Sequence, residues 1–235
     1  MIYGVILAGG IGSRMGGEKP KQYLTVKNKP IIIYTIEKFL SCSEFDEIIV
    51  LCPSQWTEHT KNIIKKYLGP ALDKIAVVEG GITRNETIMN AIDYIEAKGK
   101  LDDETIIVTH DSVRPFVTHR IIKENIAACR KYSACDTVIA ATDTIVEAAN
   151  GKEISNIPNR SMMYQGQTPQ SFKAKKLKNA YNSLTDAEKD ILTDAAKILV
   201  LKGERVALVD GETFNIKITY PYDLKIMKSL LECEE

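Results

Sequence analysis

A glycine-rich run near the start of the chain is the first set of residues suited to chemistry. Residues 7–10 read Leu-Ala-Gly-Gly, and Gly12, Arg14 and Lys21 follow. Glycines allow backbone N–H groups to approach a phosphate because no Cβ lies in the way, and the two cations would balance its charge. The run lacks the Gly-Lys-Ser/Thr of a Walker loop and the sixth-position glycine of the dinucleotide fingerprint. It predicts a phosphate-binding loop of another type; the alternative is a tight turn followed by solvated lysines.

A second glycine pair, Gly80 and Gly81, follows an apolar strand and precedes a helical pattern that begins near Thr83. The unpaired N–H groups at the start of a helix bind anionic and carbonyl groups. This junction is therefore a second candidate for ligand binding. The alternative is an ordinary strand–turn–helix junction in which Thr83 caps the helix.

An acidic residue, Asp111, lies just beyond the apolar run at 106–108. A carboxylate at the carboxyl end of a parallel strand is well placed to hold a hydrated Mg²⁺ on substrate phosphates, which makes Asp111 the candidate metal ligand; the alternative is a turn cap. Arg114 is interpreted either as its ion-pair partner or as a phosphate-binding residue. His110 is interpreted as structural, because the sequence offers no Ser/His/Asp or Cys/His arrangement around it.

Two more cations lie in the second half of the chain. Arg160 stands among uncharged polar residues, where a guanidinium can bind a sugar phosphate through two parallel hydrogen bonds. The alternative for its segment is a hydrogen-bonded loop. Lys217 stands between Ile216 and Ile218 on a predicted short strand, where it is either solvated or directed inward.

The elements that must position these residues alternate between strands and helices. Continuous apolar runs at 5–7, 48–51, 75–78 and 106–108 are typical of strands covered on both faces, and helical spacing separates them. This alternation predicts an α/β fold, a Rossmann-like and mostly parallel sheet flanked by helices. One domain spanning 1–235 is expected.

The pattern changes after about residue 136. A strand is predicted at 138–141 and a hairpin around an Asn150-Gly151 turn, so we expect an inserted β-arm at about 142–165. Residues 156–172 are interpreted as irregular because of Pro158 and Pro169. Helical spacing resumes at 174–200; strands follow at 206–209 and 216–218, then a helix at 221–231.

Composition excludes several classes of protein. The 235 residues carry 31 basic and 31 acidic side chains, so no overall field attracts nucleic acid or anionic lipid. No apolar run approaches the roughly 20 residues that cross a bilayer. Residues 1–7 have no basic region and run directly into glycines, so they are not expected to be a signal peptide. Five cysteines without a Cys-x-x-Cys pair favour buried thiols in a reducing compartment, so a cytoplasmic location is expected.

In their order along the chain, these motifs resemble those of the cytidylyltransferases that activate sugar or polyol phosphates. The resemblance runs from Ile2 to about Leu230. Residues 111–114 (Asp-Ser-Val-Arg), 157–160 (Ile-Pro-Asn-Arg) and 164–170 (Tyr-Gln-Gly-Gln-Thr-Pro-Gln) are most similar to the ribitol-5-phosphate branch of that family. The near relative is the 2-C-methyl-D-erythritol 4-phosphate branch.

The resemblance implies transfer of CMP from CTP to D-ribitol 5-phosphate, with release of pyrophosphate, for teichoic acid or capsule synthesis. The first alternative is the erythritol-phosphate activity of isoprenoid synthesis. A distant alternative is an NAD(P)-dependent oxidoreductase, against which Met15 at the sixth fingerprint position counts. The resemblance also implies a homodimer in which the arm reaches the partner's site, so that Arg160 would act in trans.

The resemblance further implies a role for each matching residue. The nucleotide-binding residues would be Leu7, Ala8, Gly9, Gly10, Gly81, Ile82, Thr83, Arg84, Asn85, Glu86, Thr87 and Ser112. The catalytic cations would be Arg14 and Lys21 at the α-phosphate, and Arg160 and Lys217 at the polyol phosphate. Other substrate-binding residues would be Arg114, Thr144, Thr168 and Thr193, and Asp111 would bind Mg²⁺.

Overall fold

The structure, a computed structural model, describes residues 1–10 and 19–233. Its centre is a seven-stranded sheet in the order β5-β4-β1-β6-β8-β7-β9. The strands of this sheet are β1 (Ile2–Leu7), β4 (Glu47–Cys52), β5 (Ile75–Glu79), β6 (Ile106–Asp111), β7 (Ala134–Ala140), β8 (Tyr164–Lys173) and β9 (Ala207–Asp210). A separate two-stranded ribbon pairs β2 (Thr25–Val26) with β3 (Lys29–Pro30).

Helices cover both faces of the sheet. They are α1 (Ile31–Leu40), α2 (Thr57–Leu68), α3 (Arg84–Ala97), α4 (His119–Tyr132), α5 (Ala174–Asn182), α6 (Asp186–Asp190), α7 (Ala196–Leu201) and α8 (Pro221–Cys233). β1 pairs in parallel with both β4 and β6, and β4 pairs in parallel with β5. The predicted α/β class, a mostly parallel sheet flanked by helices, is confirmed.

The two faces of the sheet have separate apolar cores, as a sheet buried on both sides requires. One core joins Ile6 and Val108 to side chains of α1, α2 and α4, including the fully buried Phe39. The other joins Leu7 and Ile107 to α3, α5 and α7. Neighbouring residues of one strand serve opposite faces, and this is why the strands are continuously apolar in the sequence.

The prediction that residues 156–172 are irregular is wrong for most of that range. β8 occupies 164–173 and runs antiparallel between β6 and β7. Its polar side chains are buried where they form hydrogen bonds: the Gln167 amide donates to the Glu212 carbonyl, and the Thr168 hydroxyl bonds to His110. A hydrophobic pattern could not identify this strand, because most of its buried side chains are polar and are stabilised by hydrogen bonds.

Between β7 and β8 the chain leaves the sheet for residues 141–163, at the position of the predicted arm. One antiparallel bridge joins Glu147 to Asn156, and Gly151 at the turn has a φ of +68°, which glycine adopts without strain. Among the described residues, no helix is long and apolar enough to cross a membrane.

The strand predicted at 216–218 does not form. β9 corresponds to the strand predicted at 206–209, but residues 211–220 after it are a loop without ladder pairing. Two features hold that loop at Ile218: this residue is fully buried in a third apolar cluster, and its N–H donates to the Val113 carbonyl over 2.9 Å. Apolar residues on both sides of Lys217 therefore anchor a loop instead of alternating in a strand.

Candidate active site

A cavity of about 480 Å³ opens at the carboxyl ends of β1 and β6. Leu7 and Asp111, the last residues of these two strands, are register partners and both line it. Ligands of open parallel sheets bind at this end of the strands. The other lining residues are Gly9, Gly10, Lys21, Gln22, Gly81, Ile82, Thr83, Arg84, Thr87, Ser112, Val113, Lys217 and Thr219.

The glycine-rich loop forms one wall of the cavity. The Ala8 N–H donates to the Leu51 carbonyl over 2.8 Å, and the Ala8 carbonyl accepts from the Gln22 side-chain amide over 2.7 Å. These two bonds fix the chain as it leaves β1, and Gly9 and Gly10 then line the cavity. Lys21 is buried and lines the same wall. Arg14 lies outside the described residues.

The junction before α3 forms the opposite wall. Thr83 caps the helix by accepting from the Glu86 N–H over 3.1 Å, while the Glu86 carboxylate accepts from the N–H groups of Ile82 and Thr83. A side chain on Gly81 would overlap Glu86, so glycine is required for this close approach. The result is a rigid loop whose turn residues face the cavity at a positive helix end.

Asp111 is the centre of a charge cluster. Its carboxylate lies 3.0 Å from Lys217 Nζ, 3.4 Å from Arg114 Nε and 3.8 Å from Arg84 Nε. Burial raises the pKa of this carboxyl, but the three cations together outweigh burial and hold the pKa well below its ordinary range. With three cations around one carboxylate, the cluster keeps an excess of positive charge and favours an anionic ligand.

His110 precedes Asp111 on β6 and forms hydrogen bonds beneath this cluster. Its ring is fully buried between the Arg114 carbonyl, 3.0 Å from Nε2, and the Thr168 hydroxyl, 2.9 Å from Nδ1. Burial lowers the pKa of His110 to about 4, so the ring is neutral at pH 7. The imidazole joins β6 to β8 and does not line the cavity, in keeping with the structural interpretation.

Several sequence-predicted site residues do not line the cavity. Ala8, Asn85 and Thr168 are buried behind its walls, and Glu86 holds the turn before α3. Arg114 is also buried: it pairs with Asp111 and donates from Nη1 to the Asn215 carbonyl over 2.8 Å. The remaining three, Arg160, Thr144 and Thr193, are exposed, and Arg160 donates to the Thr142 carbonyl.

Sequence reasoning missed other residues of the site. Gln22, Val113 and Thr219 line the cavity, and each is a close neighbour of a predicted site residue, which is the only signal the sequence offers. Gln167 and Asn215 are buried and do not line the cavity, but their side chains hold the loop that carries Lys217. Their contacts join segments 48 residues apart, so no local pattern could reveal them.

Of the described residues that line the cavity, Asp111 is the only one with a carboxylate that could bind a metal ion. Among the described residues no group of three or more His, Cys, Asp or Glu side chains could hold a metal ion. Mg²⁺ does not need such a group, because it binds one or two carboxylates together with substrate phosphates and water. The Asp111 carboxylate, a hard oxygen donor lining the cavity, fits that mode of binding.

Comparison with known proteins agrees with this geometry. The model of the family "IspD: 2-C-methyl-D-erythritol 4-phosphate cytidylyltransferase" matches residues 2–233. The 4-diphosphocytidyl-2C-methyl-D-erythritol synthase of Anaerococcus prevotii DSM 20548 is 28% identical, with a TM-score of 0.79 over 99% of this chain and 96% of its own.

Two more solved structures are similar over nearly their whole length. The 2-C-methyl-D-erythritol 4-phosphate cytidylyltransferase of Francisella tularensis is 27% identical, with a TM-score of 0.80 over 97% of this chain and 98% of its own. The enzyme of that name from Thermus thermophilus is 25% identical, with a TM-score of 0.73 over 99% of this chain and 100% of its own.

These matches correct the sequence-based expectation about the branch of the family. The prediction of a ribitol-5-phosphate cytidylyltransferase for teichoic acid or capsule synthesis is wrong, because the family model and the solved structures all belong to the erythritol-phosphate branch. The short polar motifs at 111–114, 157–160 and 164–170 suggested the other branch, but the match over residues 2–233 outweighs them. The chain belongs to the IspD family and is a CTP-dependent cytidylyltransferase.

Proposed function

We propose that this enzyme transfers CMP from CTP to 2-C-methyl-D-erythritol 4-phosphate and releases pyrophosphate. The observation that carries the proposal is the cavity at the ends of β1 and β6, in which Lys21, Arg84 and Lys217 surround a glycine-lined opening beside Asp111. The acceptor is inferred from the family match and from the solved structures of that family.

The two glycine junctions form the nucleotide half of the proposed site. Gly9 and Gly10 allow close approach on one side, while Gly81 and the turn before α3 present N–H groups on the other. We assign base and ribose to the wall at 81–87 and the triphosphate to the wall at 7–10, with Ser112 between them. Lys21, and Arg14 outside the described residues, would stabilise charge on the α-phosphate.

The acceptor half lies around Lys217. One oxygen of the acceptor phosphate attacks the α-phosphorus; a new P–O bond forms as the bond to the β-phosphate oxygen breaks, and pyrophosphate leaves. A phosphate monoester is already mostly dianionic at pH 7, because its second pKa is about 6, so no strong general base is needed. The main barrier is repulsion between two polyanions, which fixed cations reduce by binding and aligning both.

Mg²⁺ is the proposed cofactor, held by the Asp111 carboxylate together with substrate phosphates and water. When bound, it would neutralise charge on the triphosphate. The residues around Asp111 act independently of it: Lys217 and Arg84 fix the orientation of the carboxylate and add positive charge beside it.

A homodimer through the arm is also part of the proposal. Among the described residues, the arm exposes a set of large apolar side chains of the kind that interfaces cover: Val146, Ile154, Ile157, Met162 and Tyr164. Arg160 lies on the same arm, away from the cavity of its own chain. A partner's arm would supply Arg160 to the acceptor phosphate, and the exposed Thr144 and Thr193 remain weaker candidates for acceptor contacts. The cytoplasmic location stays a prediction from the sequence.

The proposal is tested by a substrate panel that measures pyrophosphate release. Purified enzyme with Mg²⁺ is supplied with CTP, UTP or ATP, each combined with 2-C-methyl-D-erythritol 4-phosphate or ribitol 5-phosphate. We expect CTP with the erythritol phosphate to give the highest kcat/KM, by about 100-fold or more over each other pair. Equal or higher kcat/KM with another acceptor would overturn the proposed substrate.

A further inference from the structure

Lys217 is held close to Asp111 although it lies on an irregular loop. Its Nζ is 3.0 Å from Asp111 Oδ2, and its side chain is 41% exposed. Residues 211–220 have no strand ladder to fix their path. The position of this cation therefore depends on the contacts that hold the loop on each side of it.

Asn215, two residues before Lys217, is one of the residues whose side chains hold the loop. It is fully buried, and its Nδ2 donates to the Thr168 carbonyl over 2.9 Å and to Gln167 Oε1 over 3.1 Å. The backbone carbonyl of Asn215 accepts from Arg114 Nη1 over 2.8 Å. Asn215 thus joins the loop to β8 and to the segment after β6. Asp111 is the last residue of β6.

The other end of the loop is fixed independently. Ile218 is fully buried and its N–H bonds to the Val113 carbonyl, so the chain is held just after Lys217 as well as just before it. Gln167 adds a second tie by donating to the Glu212 carbonyl over 2.8 Å. Loss of the Asn215 side-chain bonds would remove the side-chain tie closest to Lys217 on the preceding side, leaving the Arg114 bond to the Asn215 backbone carbonyl and the more distant tie at Glu212.

We propose that Asn215 is a positioning residue, whose side-chain amide fixes the loop so that Lys217 meets the acceptor phosphate beside Asp111. This inference rests on the proposed function of Lys217. The chemistry requires an amide: Nδ2 faces two acceptors, and a carboxylate oxygen in its place would meet both without a proton to donate.

The chain offers a matched control. Asn125 is also fully buried, and its Nδ2 donates to the Ile121 carbonyl over 3.0 Å and to Thr137 Oγ1 over 2.8 Å. These bonds join α4 to β7 and involve no residue that lines the cavity. N125D therefore makes the same change in a buried amide, away from the loop that carries Lys217.

The test compares steady-state kinetics of N215D, N125D, K217Q and the double variant N215D/K217Q, with Tm measured for each. We expect N215D to raise the KM for the acceptor about tenfold or more and to leave the KM for CTP within about twofold. N125D should lower Tm without changing either KM. In the K217Q background, N215D should raise the acceptor KM no further.

An equal fold-increase in acceptor KM with and without Lys217 would overturn the inference, as would a fall in Tm with both KM values unchanged. If N215D does not fold, Q167E loosens the same loop at Glu212 and should raise the acceptor KM in its place; an unchanged KM would overturn the inference.

A wild-type enzyme inactive with the acceptor would refute the proposed function instead. Crystals of N215D, or of Q167E if N215D does not fold, then decide the inference: Lys217 Nζ beyond hydrogen-bond reach of Asp111 supports it, and an unchanged 3.0 Å contact overturns it.

Discussion

Three cationic side chains converge on the carboxylate of Asp111 from different parts of the chain. Arg84 comes from the start of α3, Arg114 from the segment after β6, and Lys217 from the loop after β9. Of the three, Arg114 is buried and bonded to the Asn215 carbonyl, whereas Arg84 and Lys217 line the cavity. The residues available to a substrate are therefore the two that face the opening.

Replacing Lys217 by glutamine tests its assigned role at the residue scale. The variant keeps most of the side chain and removes the charge, so we expect the KM for the acceptor to rise about 10- to 100-fold, since a charged hydrogen bond contributes about 1.5–3 kcal/mol. The KM for CTP should change little. Steady-state kinetics with each substrate varied in turn measure both constants.

K202Q is the matched control, because Lys202 pairs with Glu188 outside the cavity. Its kinetic constants should equal those of the wild type. An unchanged acceptor KM in K217Q would show that this lysine does not bind the acceptor phosphate.

The start of α3 connects helix capping to the cavity wall that is proposed to bind the nucleotide. Thr83 caps this helix, and its capping box with Glu86 shapes the wall of the cavity. T83A should destabilise the fold by about 1 kcal/mol, as measured by chemical denaturation. We also expect it to raise the KM for CTP several-fold, because the turn that presents the N–H groups loses its anchor.

Thr185 provides the comparison at the scale of elements. It caps α6 through a capping box of the same kind, formed with Glu188, and neither residue lines the cavity. T185A should lose similar stability and keep the wild-type KM for CTP. An equal KM for CTP in T83A and T185A would show that the Thr83 cap does not contribute to nucleotide binding, and would contradict this prediction.

The parallel half of the sheet and the residues at its carboxyl edge could both be predicted from the sequence, because both follow from burial of the strands on two faces. Strands buried on both faces are continuously apolar, and the polar residues at their carboxyl ends, such as Asp111 at the end of β6, must meet at one edge. β8 and the loop at 211–220 could not be predicted this way. Long-range hydrogen bonds stabilise both, among them the bond from Asn215 to Gln167, and these have no local signature.

We expect the stability of the whole molecule to depend on pH through Asp136. This residue lies on β7 opposite Gln170, and its charged neighbours include Asp194, Arg84 and Arg114. Burial raises the pKa of the carboxyl to about 6, above its ordinary value of about 3.9. The native state therefore holds this proton more tightly than the unfolded state, and stability falls as pH rises from about 4 to 6.

D136N removes that dependence. At pH 7.5 the amide avoids a buried charge, so we expect a gain of about 1–3 kcal/mol in the free energy of unfolding. Near pH 4 the wild-type carboxyl is protonated in the native state and the gain should nearly vanish. Urea denaturation at both pH values measures it; the same gain at pH 4 and pH 7.5 would contradict the assignment.

Assembly of the whole molecule is tested by complementation between two defective variants. If Arg160 acts in the partner's site, a mixed dimer of R160A and K217Q has one intact site and one doubly defective site. Equal mixing with subunit exchange should then restore roughly a quarter of wild-type activity at low acceptor concentration. Activity no higher than the mean of the separate variants would place Arg160 in its own chain's site or outside catalysis.

A crystal structure of the enzyme with CTP and Mg²⁺ tests the central claim most directly. We expect the α-phosphate within hydrogen-bond reach of Lys21, at the carboxyl ends of β1 and β6, with Lys217 facing the space where the acceptor phosphate would attack. Nucleotide bound elsewhere would contradict the account, for example in another cavity that Lys173, Lys176 and Lys202 line.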